Sequence, residues 1–312
     1  MFRVAQWSDS HKHEESVRST QSLIPTIPEL DLPIHCGDVT YDHYTNGIGG
    51  FNQAISTCVI GNHDAISDAG IQYYPYRWDL QQTQRELYKT YFEGMSTKFG
   101  LDMARDTTWW CKEFTDKRVL FLGLNDTVVG NDFTDELNWV NERVKYAEQN
   151  NLMIAAAKHG PTTTCNLVKC NFTSTYMASA SFTSDKIEYS NDYGENGEKL
   201  IAPIVGSKCR VLYILAGHEH GDGFGYIVKG DGSKIPYVFV GATLPDKYND
   251  ASRGSSGVTS NVVCNMLDYI PEIDSLRIYR LGADATYNGT TRKMLTFSYG
   301  ENRIVSSCGV RS

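Results

Sequence analysis

Leu215-Ala216-Gly217-His218-Glu219-His220 closes an apolar run that begins at Val211. In an extended backbone, side chains two apart leave the same face, so both imidazoles point one way with Glu219 between them. Two such groups side by side imply a metal site. Val211-Leu212-Tyr213-Ile214-Leu215 reads as a short buried strand, and Gly217 allows the sharp exit that holds both histidines at its end. Four more motifs rich in Asp, Asn and His lie upstream, each at the end of a predicted strand. That arrangement decides the architecture, because open α/β sheets place their sites just past the carboxyl ends of parallel strands.

Working outward, residues 2–7 form the first predicted strand and run into Ser8-Asp9-Ser10-His11. Residues 14–24 follow as a helix stopped near Pro25. Pro33-Ile34-His35-Cys36 ends in Gly37-Asp38, and Thr57-Cys58-Val59-Ile60 ends in Gly61-Asn62-His63-Asp64. This rhythm predicts right-handed crossovers and a mostly parallel sheet. A helix is expected over 81–92, with Tyr73, Tyr74, Tyr76 and Trp78 packing just before it, and a hairpin over 108–114 and 118–124. Thr134 is read as the cap of a helix whose stripe of Leu137, Val140, Val144 and Ala147 faces the sheet. The strand over 152–157 ends in Lys158-His159. Residues 162–197 show little periodicity and read as a loop or lid, and 250–259 as a disordered loop. Past His220 the pattern turns to short, mostly antiparallel strands.

With 312 residues, 41% of them hydrophobic, the chain can bury a sizeable core. A formal net charge of −8 and the absence of any Lys/Arg run argue against a grip on long nucleic acid. They leave a phosphate substrate open, since bound divalent ions outweigh a diffuse acidic surface locally. The eight cysteines never fall in a CxxC pair, which favours free thiols in a reduced compartment. No apolar run reaches membrane-spanning length, and the first strand begins at Phe2. The expectation is a soluble protein without membrane insertion, cytoplasmic, or virion-associated and extracellular as part of a phage particle.

In order, the motifs are Asp9-x-His11, Gly37-Asp38, Gly61-Asn62-His63-Asp64, His159 and Gly217-His218-x-His220. This series resembles the calcineurin-like metallophosphoesterase superfamily, whose signature is D-x-H, G-D, G-N-H-[DE], H and G-H-x-H. The resemblance implies an α/β fold, a four-layer α/β/β/α sandwich with mixed sheets and a β-rich C-terminal part. Residues 1–285 would form the metallophosphoesterase domain, with inserted segments near 65–115 and 162–200, and 286–312 a C-terminal β extension packed on it. It also implies two divalent metal ions, with Mn, Fe or Zn as the leading identities. Asp9, His11 and His220 would bind one ion, Asn62, His159 and His218 the other, and Asp38 both. The reaction implied is hydrolysis of a phosphodiester or phosphomonoester through attack of a metal-bound hydroxide. His63 would face the substrate and assist the leaving oxygen, with Asp64 orienting it.

The motifs absorb five of the eight histidines. His35 is read as core, whereas His13, Tyr41 and His43 lie in loops beside the motifs and are candidate substrate contacts or solvated loop residues. Two other functions fit the same motifs. One is a non-catalytic metal-binding scaffold of this fold, against which the intact His63 and Asp38 argue. The other is a phosphoesterase module of a larger assembly, such as a phage particle, acting on a cell-surface phosphodiester polymer. Native substrate and oligomeric state have no signature in the sequence.

Overall fold

Along Met153-Ile154-Ala155-Ala156-Ala157, Ile154 and Ala156 join one apolar core while Ala155 and Ala157 join another. Period-two alternation therefore makes this strand a wall between two layers. The computed structural model describes residues 1–11, 13–40, 51–65, 84–103, 106–127, 130–162, 164–168, 170, 172, 180–182, 187–189, 194–243, 262–282, 286–287 and 291–307.

The strands begin with β1 (Phe2–Trp7), β2 (Leu32–His35), β3 (Thr57–Cys58), β4 (Trp110–Phe114), β5 (Val119–Gly123), β6 (Met153–Ala157) and β7 (Asn166–Leu167). Then come β8 (Ala180–Phe182), β9 (Ile187–Tyr189), β10 (Val211–Ala216), β11 (Gly223–Val228), β12 (Lys234–Phe239), β13 (Val263–Ile270) and β14 (Ser275–Gly282). The last are β15 (Thr286–Tyr287), β16 (Thr291–Arg292), β17 (Met294–Ser298) and β18 (Arg303–Ser307). The helices are α1 (Glu14–Leu23), α2 (Asn62–Ala65), α3 (Gln84–Leu87), α4 (Glu93–Phe99), α5 (Gly130–Gln149) and α6 (Gly194–Gly206).

Two seven-stranded sheets result, in the orders β18-β17-β14-β13-β1-β2-β3 and β4-β5-β6-β10-β12-β11-β7. Both are mixed. β1, β2 and β3 run parallel in the first, as do β5, β6, β10 and β12 in the second, and the flanking strands are antiparallel. The predicted parallel rhythm is thus split between two sheets. Phe2, Val4 and Leu267 meet Phe121, Ala155 and Leu215 in the core between them. Val140, Val144 and Ala147 of α5 with Leu200, Ile201 and Ile204 of α6 cover the second sheet's outer face. Leu23 at the end of α1 packs against Ala5 and Met266 on the outer face of the first. The layers read α/β/β/α.

Buried amides cross the central layer near the site, Asn265 of β13 donating to Phe239 O at 3.1 Å. Gln6 of β1 is buried and donates its amide to the Ala216 and Val238 carbonyls, each 3.0 Å away. The end of the strand leading to Asp9 is thereby tied to the end of the strand leading to His218.

Several expectations are corrected. The helix read as capped at Thr134 begins at Gly130, with Asp132 in its first turn, where a negative charge complements the positive end of the helix dipole. Part of the 162–197 loop is ordered: β7 pairs with β11, β8 with β9, and α6 starts at Gly194. The glycines and Pro203 hide that helix from a sequence reading, yet burial of Leu200, Ile201 and Ile204 holds it. The helix expected over 81–92 continues to Phe99 through a π-helical turn at Tyr88–Phe92. Tyr41, His43, Tyr73, Tyr74, Tyr76, Trp78 and the 250–259 loop lie outside the described residues. Among the described residues Cys36, Cys58, Cys111, Cys165, Cys209 and Cys264 are free thiols, and no helix is long and apolar enough to cross a membrane.

Candidate metal centre

Asp9 and His11 follow β1, Asp38 follows β2, and Asn62 and His63 open α2 just after β3. His159 follows β6 in the other sheet, and His218 and His220 follow β10. Five strand ends from two sheets therefore converge. Backbone bonds lock the loops together: Asp9 N–H donates to Gly37 O and His11 N–H to Asp38 O, both at 3.1 Å, and Gly217 N–H donates to His159 O at 3.1 Å. Across the gap between the sheets, His218 N–H donates to Asp9 Oδ2 at 2.9 Å.

The side-chain atoms so presented are electron-pair donors in close array. His11 Nε2 and His220 Nε2 lie 3.3 Å apart, with Asp9 Oδ1 3.5 Å from the latter. Asn62 Oδ1 lies 3.0 Å from His159 Nε2 and 3.2 Å from His218 Nδ1. Asp38 Oδ2 is 3.1 Å from His159 Nε2, while Asp38 Oδ1 accepts the His63 backbone N–H at 2.9 Å. Asp9, His11 and His220 form one group able to hold a metal ion, and Asp38, His159 and His218 another. His63 falls into a third such group with His11 and Asp38.

Burial drives the His11 and His218 imidazoles down to about 3, which keeps them neutral. Burial opposes charge on His159 too, but the Asp38 carboxylate, backed by Asp9 and Asp126, outweighs it and brings His159 up to about 10. Burial alone would raise Asp38; His159 and His63 outweigh it and hold that carboxyl well below its ordinary range. His159 is thus favoured in its protonated form beside Asp38. A divalent ion would offer the same atoms more charge at the same place. His159 Nδ1–H donates to Cys36 O at 2.6 Å, which aims Nε2 into the cluster as a metal ligand requires. The set of imidazole nitrogens with carboxylate and amide oxygens, free of thiolate, suits first-row divalent metals.

The model of the calcineurin-like phosphoesterase family matches residues 2–222. The chain belongs to this family. Among solved structures, the phosphoesterase is similar to a dimetal phosphatase from Danio rerio, with TM-score 0.56 and 10% identity over 96% of this chain and 99% of that one. It is also similar to the purple acid phosphatase PPD1 of yellow lupin (Lupinus luteus), with TM-score 0.51 and 14% identity over all of this chain and 57% of the lupin chain. A third likeness is to PhoD, with TM-score 0.55 and 13% identity over all of this chain and 72% of that one. These likenesses are of fold. No curated protein matches the sequence.

The motif glycines of this phosphoesterase are explained by crowding. A Cβ on Gly61 would lie 2.2 Å from Asp38 Oδ1 and 2.3 Å from Asp38 N, and one on Gly217 would lie 2.0 Å from Ser8 Oγ and 2.8 Å from Asp9 Oδ2. Asp9, His11, Asp38, His218 and His220 all adopt positive φ, between 44° and 65°. Such conformations cost on the order of 1–3 kcal/mol each and persist only where the surroundings impose them. Gly61→Ala is expected to destabilise the fold by about 1–3 kcal/mol, since the obstructing atoms include backbone. Urea unfolding measures this; an unchanged midpoint would show that the Asp38 loop can give way.

Around this cluster the remaining predicted residues separate. Asp64 Oδ1 accepts from Thr40 N–H at 2.8 Å and from the Tyr91 hydroxyl at 3.1 Å, and Oδ2 accepts from Gly61 N–H at 3.0 Å. These bonds pin the Asp38 loop to the Asn62 loop. Burial and the nearby Asp38 raise its carboxyl to about 6. His13 caps α1, its Nδ1 lying 2.7 Å from Ser16 Oγ. His35 is buried edge-on to Trp7, with Nε2 3.1 Å from Ser10 Oγ, as expected of a core histidine. The sequence reading missed Tyr91, delivered by the π-helical turn, and a buried ion pair between Lys158 and Asp126, with Nζ 2.9 Å from Oδ2. A lysine ending the strand Ala155-Ala156-Ala157 was the available signal for the pair.

Proposed function

We propose that the chain hydrolyses small phosphate esters, diesters or monoesters, at a dinuclear metal centre. The observation that carries this reading is the pair of three-residue donor groups on opposing strand ends, Asp9–His11–His220 and Asp38–His159–His218. The first group would hold one ion, and His159 and His218 with Asn62 the other, Asp38 standing between them. Bound there, two divalent ions would supply Lewis acidity at phosphorus and acidify water. The N/O donor set supports manganese, iron or zinc.

The protein's own contribution is orientation and proton handling. Asp9 fixes the His218 loop through its backbone amide, and Cys36 O fixes the His159 ring. The His63 side chain is 23% exposed, more open than that of His220 at 17%. Its Nε2 stands 3.9 Å from Asp38 Oδ2, and its ring packs edge-on to His11 at 4.9 Å. From there it would steady phosphoryl oxygens and give a proton to the departing oxygen. Residues 1–285 would form the phosphoesterase domain and 286–312 an extension, a division supported by β17 and β18 adding to the edge of the first sheet.

Protein reconstituted with Mn²⁺ is expected to hydrolyse members of a panel of aryl phosphate mono- and diesters, nucleotides and glycerophosphodiesters, and to lose that activity to chelator. Absence of turnover across the panel, from protein shown to hold two ions, would leave a metal-binding scaffold instead.

A further inference from the structure

We infer that Lys158 and Asp126, which lie in none of the five motifs, are positioning residues for His159 and set the affinity of one of the two ion sites. The inference rests on the dinuclear reading above. Lys158 is fully buried, and its Nζ donates to Asp126 Oδ2 at 2.9 Å, to Pro161 O at 3.1 Å and to Gly160 O. Asp126 Oδ2 also accepts Gly160 N–H at 2.9 Å. The chain after β6 is therefore curled around a single ammonium, and His159 is carried in that curl between Lys158 and Gly160.

Packing does not require this arrangement. The strand before it is Met153-Ile154-Ala155-Ala156-Ala157, and a buried ion pair is often no more stabilising than apolar groups of similar volume. An apolar side chain could not gather two carbonyls and a carboxylate around one point. Those contacts set where the His159 ring starts from, and its Nε2 then has to meet Asn62 Oδ1 and Asp38 Oδ2 at 3.0 and 3.1 Å. Two further features keep the pair in place. The Tyr237 hydroxyl donates to Gly160 O at 3.1 Å, and α6 passes the pair at Gly197, where a Cβ would stand 2.7 Å from Lys158 Nζ and 3.3 Å from Asp126 Oδ2.

Gly197 supplies a test in which stability and positioning move apart. Gly197→Ala gains helix propensity, which offsets part of the cost of displacing the ammonium, so any fall in the metal-free melting temperature should be small beside the loss at one ion site. Isothermal titration of the whole chain with Mn²⁺ should then show one of two dissociation constants raised by about 10-fold, as for the loss of a group that orients a ligand, and the other unchanged. The double variant Lys158→Met/Asp126→Asn leaves no bare buried charge and should show the same one-sided loss. Wild-type constants for both ions in both variants would overturn the positioning role. Equal weakening at both sites, in step with a lowered melting temperature, would overturn it too, since general loosening explains that result. Wild-type protein that takes up no ions would instead overturn the dinuclear reading and this one with it.

Discussion

Replacing His63 by Ala is expected to leave folding and metal content unchanged and to lower kcat by about 10²–10⁴-fold, the range for a positioned proton donor. The contact from His63 that holds the loop is its backbone N–H to Asp38 Oδ1 at 2.9 Å, and alanine keeps it. Alanine also suits the helical turn Asn62–Ala65 in which the residue sits. What disappears is a partly exposed imidazole beside Asp38 and His11. Loss of proton donation makes the deficit depend on the leaving group: large for an alkyl ester, whose departing oxygen needs the proton, and small for a nitrophenyl ester. Two results would sink the assignment. Equal deficits for both esters would make His63 a binding group, and loss of one ion from the variant would make it a ligand, as its grouping with His11 and Asp38 allows.

The residues that converge at the cluster were legible because each depends on short-range information. A strand needs a few apolar residues, its end needs a glycine or a turn, and the donors follow within three positions, as in Gly61-Asn62-His63-Asp64 or Gly217-His218-Glu219-His220. Residues whose meaning depends on distant partners were not legible. Lys158 finds Asp126 across 32 positions of chain, and Asp64 receives bonds from Thr40 and Tyr91. The resemblance gives Asp64 a role beside His63, and nothing in the sequence points to Thr40 or Tyr91 as its partners. The helix at Gly194–Gly206 was hidden for a related reason: its glycines and Pro203 oppose helix formation locally, and only the apolar face of the second sheet overrides them. Partition of the parallel strands between two sheets was likewise invisible, since strands on either side of the split share the same apolar pattern.

Asp38→Asn is expected to abolish tight binding of both ions, and with it a metal-dependent gain in stability. Asparagine keeps the side chain's size and an oxygen to accept the His63 N–H, so the space beneath Gly61 stays filled. It replaces the other oxygen by an NH₂ group that faces His159 Nε2, and it removes the carboxylate that stands in both the His159–His218 group and the His11–His63 group. A donor hydrogen where an electron pair is needed should weaken ion binding by more than about 100-fold, beyond the usual loss for an outer partner. Lewis-acid stabilisation of several kcal/mol goes with the ions, and about 4 kcal/mol of it is about 10³-fold in kcat. The thermodynamic readout is independent of substrate. Ligand at 100 times its dissociation constant stabilises a fold by about 2.7 kcal/mol, about 5 °C in melting temperature for a chain of this size. Wild-type protein should show that rise with Mn²⁺ and Asp38→Asn should not. A variant that retains it would put the shared carboxylate elsewhere, with Asp9 the next candidate because it already joins the two sheets through His218.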